Sequence, residues 1–330
     1  MAEVETETDR PVPDELEESQ ASRRRGAEPE PQKGVGSRWL WGGLALPGIV
    51  WLCLLFIAPL YVVLAIIFGG IDPILRQPVP VWNPLDWDFS QFNFVMGRIF
   101  GPDPYFRPAM IRTVAYVASA SLICLVIAYP VAYFTARLAG RWKGLLLAAL
   151  IAPFWISYMM RMLAWVNLLQ TDGLVNKTLS AGGLFNVHYA WLQGHSTTVI
   201  LGLVYGYVPY MILPLYAGLD RAPTAMLEAA RDLGASRFQT FYRVTWPLTR
   251  TAVVVSLLVT TLPMLGDYFT VDLLSGSPSN SMIGNLINNS VLTPGETGQA
   301  GAFVLIVLVV SVIPMFIYLR STRSGTDIAV

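Results

Sequence analysis

The sequence predicts an all-α membrane protein with six transmembrane helices. Three observations lead there. The 330 residues are 54% hydrophobic and only 13% charged, against about 25% charged in a soluble domain. The apolar residues gather into six blocks, roughly 41–68, 110–136, 144–169, 197–219, 251–273 and 300–319. Each is close to the about 20 residues that a helix needs to cross a bilayer. The blocks do not alternate in polarity as membrane strands do, and an open chain in lipid satisfies its backbone only as helix.

The first 37 residues hold ten acidic and five basic side chains and almost no large apolar ones, which predicts a disordered, solvated tail over 1–37. Ser22-Arg23-Arg24-Arg25 is a faint twin-arginine pattern. The apolar run begins well downstream of it and exceeds the about 7–15 residues of a signal sequence. It reads as a span that stays, with the arginines as anchors. The membrane domain is then 38–320, followed by a short tail, 321–330. With the N-terminus inside, sixteen of the 22 basic residues fall on the cytoplasmic side, so the positive-inside bias predicts cytoplasmic termini. The first external loop, about 70–108, carries Trp82 and Trp87 and is long enough for a small cap.

Several chemistries are excluded. Cys53 and Cys124 sit inside apolar runs and read as packing residues. His188 and His195 share a loop without an acidic or cysteine cluster, so no metal site is expected. The chain has no G-x-x-x-x-G-K-[ST] loop; the stretch from Gly173 to Thr178 comes nearest and lacks the second glycine. No nucleophile–base constellation and no basic face for nucleic acid is visible. A non-catalytic chain without a cofactor of its own, embedded in the lipid bilayer, is the reading.

The polar stretch between spans four and five holds the main functional signal. It runs Glu228-Ala229-Ala230, three residues, Gly234, nine residues, Val244, one residue, Trp246-Pro247. Pro223 presets a helix start, Gly234 suits the left-handed residue past a helix end, and Ser236 to Gln239 fits a capping box for a second short helix. Phe238, Phe241 and Tyr242 give that second helix an apolar side, and Pro247 is expected to break it before the fifth span. The small Ala229 and Ala230 keep the first helix thin, so that a partner can close on it from the aqueous side.

This spacing resembles the EAA loop of binding-protein-dependent ABC-transporter inner-membrane permeases. Val244 and Trp246 stand where that pattern usually has isoleucine and leucine. Three further stretches resemble the spermidine/putrescine branch: Tyr129-Pro130-Val131-Ala132-Tyr133-Phe134; Pro153-Phe154-Trp155-Ile156-Ser157 with Arg161 and Ala164-Trp165; and Gly266-Asp267-Tyr268-Phe269 with Asp272-Leu273-Leu274 and Met282-Ile283-Gly284-Asn285. Arg112 stands where an asparagine is usual. The resemblance implies a six-helix, type I importer-like permease in the bacterial inner membrane. Its coupling helix would use Glu228, Ala229, Ala230, Gly234, Val244 and Pro247. The implied partners are a second permease, an ATPase dimer carrying ATP and Mg, and an external substrate-binding protein. Polyamine is the implied cargo, with phosphonate, iron or an anion as alternatives. An ion-gradient transporter and a membrane scaffold are rivals of other classes.

Pathway candidates follow from charge and aromaticity within the spans. Arg161 and Asp267 stand at matching depth, about 25 Å from the cytoplasmic edge at about 1.5 Å per residue. An ion pair between them is expected, serving as a helix staple, a substrate contact or a contact with the second permease. Trp155, Tyr158, Trp165, Tyr207, Tyr210 and Tyr268 crowd the same spans and would suit a cationic cargo, or would simply pack. Pro209 and Pro214 are expected to kink the fourth span. Gly202 and Gly206 form a weak close-contact motif.

Overall fold

The computed structural model describes residues 38–182 and 189–326. The expected 1–37 tail, the tail from 327 onward and His188 lie outside them. The chain divides into two compact units, Met1–Leu60 and Tyr61–Val330. In the first, helix α1 (Arg38–Leu52) passes through a π turn, Cys53–Ile57, into α2 (Ala58–Ile67), whose last residues belong to the second unit.

After the end of α2 the second unit forms a two-stranded hairpin, β1 (Gly70–Ile71) against β2 (Pro78–Val79), Gly70 opposite Val79. Asp72 accepts the backbone N–H groups of Ile74 at 2.7 Å and Leu75 at 2.9 Å. Those bonds, the Leu75 one foremost, hold its carboxyl below the usual carboxylate range. Helix α3 (Ser90–Phe100) follows, and Phe68 stacks on Trp87 at 5.0 Å. The expected small cap is thus a hairpin, an aromatic cluster and one helix.

The core is built by α4 (Arg107–Arg137), α8 (Ser196–Arg221) and α11 (Trp246–Leu265), which follow α5 (Lys143–Ile151), α6 (Tyr158–Leu169) and α7 (Leu174–Ala181) along the chain. Ala120, Cys124, Ala128 and Ala132 recur every four residues along α4 and are fully buried. This small-residue stripe lets helix backbones approach, which is how helices pack where lipid supplies no hydrophobic drive. Cys124 sits in the stripe as a packing residue, and both cysteines are free. Buried hydroxyls on α11 return to their own helix: Thr249 to Thr245 O at 2.9 Å, Ser256 to Ala252 O at 2.6 Å, Thr260 to Ser256 O at 2.8 Å. That satisfies polar groups without water. Helices α9 (Thr224–Asp232) and α10 (Arg237–Thr240) lie between α8 and α11, and α12 (Phe269–Leu274), α13 (Ile283–Leu292) and α14 (Thr297–Thr326) complete the chain.

Among the described residues five helices are long and apolar enough to cross a membrane, and a bent pair could make a sixth. That pair corrects the expected straight third span, 144–169. Gly140–Trp155 and Tyr158–Leu169 meet at 87°. Pro153 has no N–H for the helix ladder, the turn tightens to a 3₁₀ form over Ala152–Trp155, and Ile156 and Ser157 are extended. The fifth block, 251–273, is also not one helix. It ends at Leu265 after Pro263 and restarts at Phe269, leaving Gly266–Tyr268 irregular. At the other end Pro247 breaks nothing. The π turn Phe241–Thr245 joins α10 to α11 and absorbs the proline, giving a continuous run Arg237–Leu265. Pro209 and Pro214 lie within the single helix α8.

Candidate functional site

Two constructions stand out, an elbow between α8 and α11 and a polar node at the two helix breaks. In the elbow, α9 ends in a Schellman turn. Gly234 has φ +82°, Ala235 N–H donates to Ala230 O at 3.0 Å and Gly234 N–H to Arg231 O at 2.9 Å. Ser236 then caps α10 reciprocally, its Oγ accepting Gln239 N–H at 3.2 Å and its N–H donating to Gln239 Oε1 at 2.9 Å. Pro223 is the cap residue before α9 rather than its first helical residue.

The expected apolar side of the second helix divides in two. Phe241 turns inward, edge-on to Tyr129 at 5.8 Å and Tyr133 at 6.2 Å. Phe238 and Tyr242 turn outward, 77% and 65% exposed, and Met226 and Leu233 are exposed as well. Glu228, Ala229 and Pro247 are exposed, and Ala230 and Val244 half-buried. The elbow thus exposes apolar side chains among charged ones, Glu228, Arg231, Arg237 and Arg243 included, while one ring anchors it to α4. Trp246 adds a contact to Tyr129 at 5.6 Å, and Tyr129 hydroxyl bonds Thr249 Oγ1 at 2.9 Å. The start of the elbow is fixed by Arg137 Nη2 donating to Ala222 O at 2.6 Å and by the Lys143–Asp220 ion pair at 2.6 Å.

The node corrects the expected Arg161–Asp267 ion pair. Asp267, 6% exposed, accepts Tyr158 hydroxyl at 2.8 Å, Thr270 hydroxyl at 2.6 Å and Thr270 N–H at 3.0 Å. It therefore starts α12 and ties it to α6. Tyr158 also bonds Thr270 Oγ1 at 2.6 Å. Arg161 pairs with no described carboxylate and instead lies over the rings of Tyr158, at 5.4 Å, and Phe154, at 5.9 Å. The helix breaks explain the difference: depth counted along straight spans does not hold when both spans are interrupted.

Tyr158, Tyr207 and Tyr210 do converge, joined by Phe154. Trp165 packs separately on Tyr205 at 5.2 Å, Tyr268 stacks on Phe269 at 4.2 Å, and Trp155 is 87% exposed at the bend. Of the pathway candidates, Trp155, Trp165 and Tyr268 are therefore not in the cluster. Phe154 and Thr270 belong to the node although sequence reasoning did not single them out; Phe154's place beside Pro153 in the tyrosine-facing break was the available signal. Gly202 and Gly206 have a definite role: an added Cβ would lie 2.2 Å from Leu274 Cδ1 and 2.7 Å from Tyr158 Cε2.

The third of the stretches that carry the resemblance folds onto itself. Asn285 Oδ1 accepts Met282 N–H at 2.9 Å, and its amide donates to Tyr268 O at 3.1 Å and Asp272 Oδ1 at 2.6 Å. A Cβ on Gly284 would stand 2.7 Å from Gly266 O and 2.9 Å from Asp267 O, both backbone. Gly284→Ala is therefore expected to destabilise the node by about 1–3 kcal/mol, read as a lower melting temperature of the purified chain; unchanged melting would show that the break is not packed this closely. Arg112 donates through Nη1 to Ser279 O, which is what that residue does here. His195 stacks on Tyr189 at 4.8 Å.

Comparison with known proteins matches this geometry to a family. Residues 128–324, which hold the elbow and both breaks, match the family described as binding-protein-dependent transport system inner membrane component. The spermidine/putrescine transport system permease protein PotB of Escherichia coli K12 is 34% identical over 221 residues, covering 67% of this chain and 80% of PotB. The inner membrane ABC transporter permease protein YdcU of the same organism is 29% identical over 294 residues, covering 84% and 91%. A chain in the crystal structure of a bacterial alginate ABC transporter with its pentasaccharide-bound periplasmic protein superposes with TM-score 0.67 at 19% identity, covering 87% of this chain and 95% of that one. With family match, relatives and shared fold in agreement, the chain belongs to the binding-protein-dependent transport system inner membrane components, the permease subunits of ABC importers.

Proposed function

We propose that the chain forms one half of the translocation pathway of an ATP-driven polyamine importer, and that α9 and α10 are its coupling helices. The observation that carries this is the elbow: two short helices fixed by a Schellman turn and a capping box, with Met226, Leu233, Phe238 and Tyr242 exposed among charged side chains and Phe241 anchored inside. A lever with exposed apolar and charged side chains on its outer face suits a motor subunit that must grip and move it. The family match and the name of PotB support the class of machine and of cargo.

In this reading both termini and the elbow are cytoplasmic. A second permease completes the pathway, two ATPase copies with ATP and Mg drive it, and an external protein delivers cargo. Closure of the ATPases on nucleotide pulls the elbow. Phe241 passes the motion to Tyr129 and Tyr133 on α4, and the continuous Arg237–Leu265 run passes it to the break at Gly266–Tyr268. Glu228 supplies a fixed exposed charge at the grip. A second reading, an anionic cargo such as a phosphonate or sulfate, draws on the unpaired Arg161.

The test is uptake by the four-component system in cells lacking other polyamine transport. Labelled spermidine should enter only when the ATPase is present. Uptake that persists after the ATPase is deleted would mark an ion-gradient carrier. Uptake of sulfate or phosphonate in place of spermidine would favour the second reading.

A further inference from the structure

Among the described residues Arg161 is the buried charge least accounted for. It is 6% exposed, and its Nε has no hydrogen-bond partner. No carboxylate among the described residues forms an ion pair with it. A buried cation in this condition costs free energy and points to function. What faces it is aromatic: the guanidinium carbon lies 5.4 Å from the Tyr158 ring centre and 5.9 Å from that of Phe154. Those rings extend into a cluster, Phe154 edge-on to Tyr210 at 4.4 Å, Tyr158 beside Tyr207 at 5.9 Å, and Tyr207 beside Tyr210 at 5.9 Å. Tyr158 is held in place by its bonds to Asp267 and Thr270 and by the close approach of Gly206. The result is a braced aromatic cage with a cation at its faces, and that cation belongs to the protein itself.

Aromatic faces attract alkylammonium and guanidinium groups by the same quadrupole interaction. We propose that Arg161 is a tethered stand-in for the cargo: it occupies the Phe154 and Tyr158 faces when the pathway is empty, and an ammonium group of a polyamine must displace it in transit. The inference rests on the polyamine reading above and adds a specificity-determining residue to it. Two consequences follow. The empty cage stays filled by a cation, and cargo is held weakly enough at this point to move on, because Arg161 returns to compete for the rings.

The experiment measures equilibrium binding of tritiated spermidine to the complex of both permeases and the ATPase in nanodiscs, without the external binding protein. Arg161→Met keeps length and bulk while removing a buried unpaired charge, a change that is usually tolerated in folding. It should bind spermidine about tenfold more tightly than wild type, the factor expected when one desolvated cation–π competitor is removed. Arg161→Lys should stay within about threefold of wild type, since the competing cation remains. Adding Phe154→Leu to Arg161→Met should reverse the gain. Equal or weaker binding by an assembled Arg161→Met complex would overturn the proposal. So would an Arg161→Met chain that fails to assemble while Arg161→Lys assembles, since the charge would then be structural. Absence of spermidine uptake by the wild-type system with its binding protein would instead remove the polyamine reading, and the stand-in role with it.

Discussion

A Gly234→Val chain is expected to reach the membrane at a normal level and lose ATP-driven uptake. Gly234 sits at φ +82° with open space around its missing side chain, so the cost of substitution is conformational rather than steric. A left-handed backbone costs an ordinary residue about 1–2 kcal/mol, which shifts a local equilibrium by about five- to thirtyfold. A β-branched side chain is among the worst tolerated there. The Schellman bonds from Gly234 and Ala235 would open, and α9 would lose its angle to α10. Gly234 and α9 are exposed and contribute no buried residue, so insertion and bundle packing should survive. Gly234→Asn is the internal control, because asparagine enters the left-handed region readily and should retain most uptake. Gly234→Asp is expected to fall between them, with tolerable backbone but a new charge on the gripping face. Full uptake by Gly234→Val at wild-type abundance would mean that the angle of the elbow does not transmit force.

The second large effect is expected at Asp267. Replacing it with leucine leaves Thr270 N–H and one hydroxyl proton without an acceptor, because the Tyr158 and Thr270 hydroxyls, 2.6 Å apart, can satisfy only one donor between them. Each stranded buried polar group costs about 1–3 kcal/mol. Asp267→Leu should therefore sharply reduce assembled chain in the membrane, measured by quantitative blotting of the purified complex. Asp267→Asn keeps a carbonyl oxygen for Thr270 N–H and offers its amide to the two hydroxyl oxygens. It should assemble and keep uptake, because Asp267 has no cationic partner among the described residues to lose. An assembled Asp267→Asn complex without uptake would instead make the carboxylate charge part of the cargo path.

The contrast between elbow and node shows what a sequence exposes to reading. The elbow was legible because its signals are local. Gly234 at a helix end, and Ser236 three residues before Gln239, each specify a backbone geometry within a few residues, and the structure has both. The core helices were legible for the same reason: Arg107–Arg137 and Ser196–Arg221 lie within a few residues of their apolar blocks. The node was not legible, because its geometry depends on where two long apolar blocks break. Pro153 and Ser157 mark one break and Pro263 and Gly266 the other, but apolar composition runs on through both and conceals them. Once the chain bends, equal distance along it no longer means equal depth, and the expected Arg161–Asp267 pair dissolves into a carboxylate held by Tyr158 and Thr270 and a cation held by rings. Pro247 misled in the opposite direction, since a π turn accommodates it and the helix continues. The weak Gly202–Gly206 motif gained meaning only when Tyr158 and Leu274 were found against it.

The most direct measurement is a cross-link from the elbow. With Cys53 and Cys124 replaced by serine, a single cysteine at Ala229, exposed on α9, is reacted with a short bifunctional reagent in native membranes. The expected product joins this chain to the ATPase subunit, with a yield that changes when ATP is added, because the grip on the elbow moves with nucleotide. A cysteine that labels from the aqueous phase yet never joins an ATPase, with or without nucleotide, would contradict the coupling role of this loop.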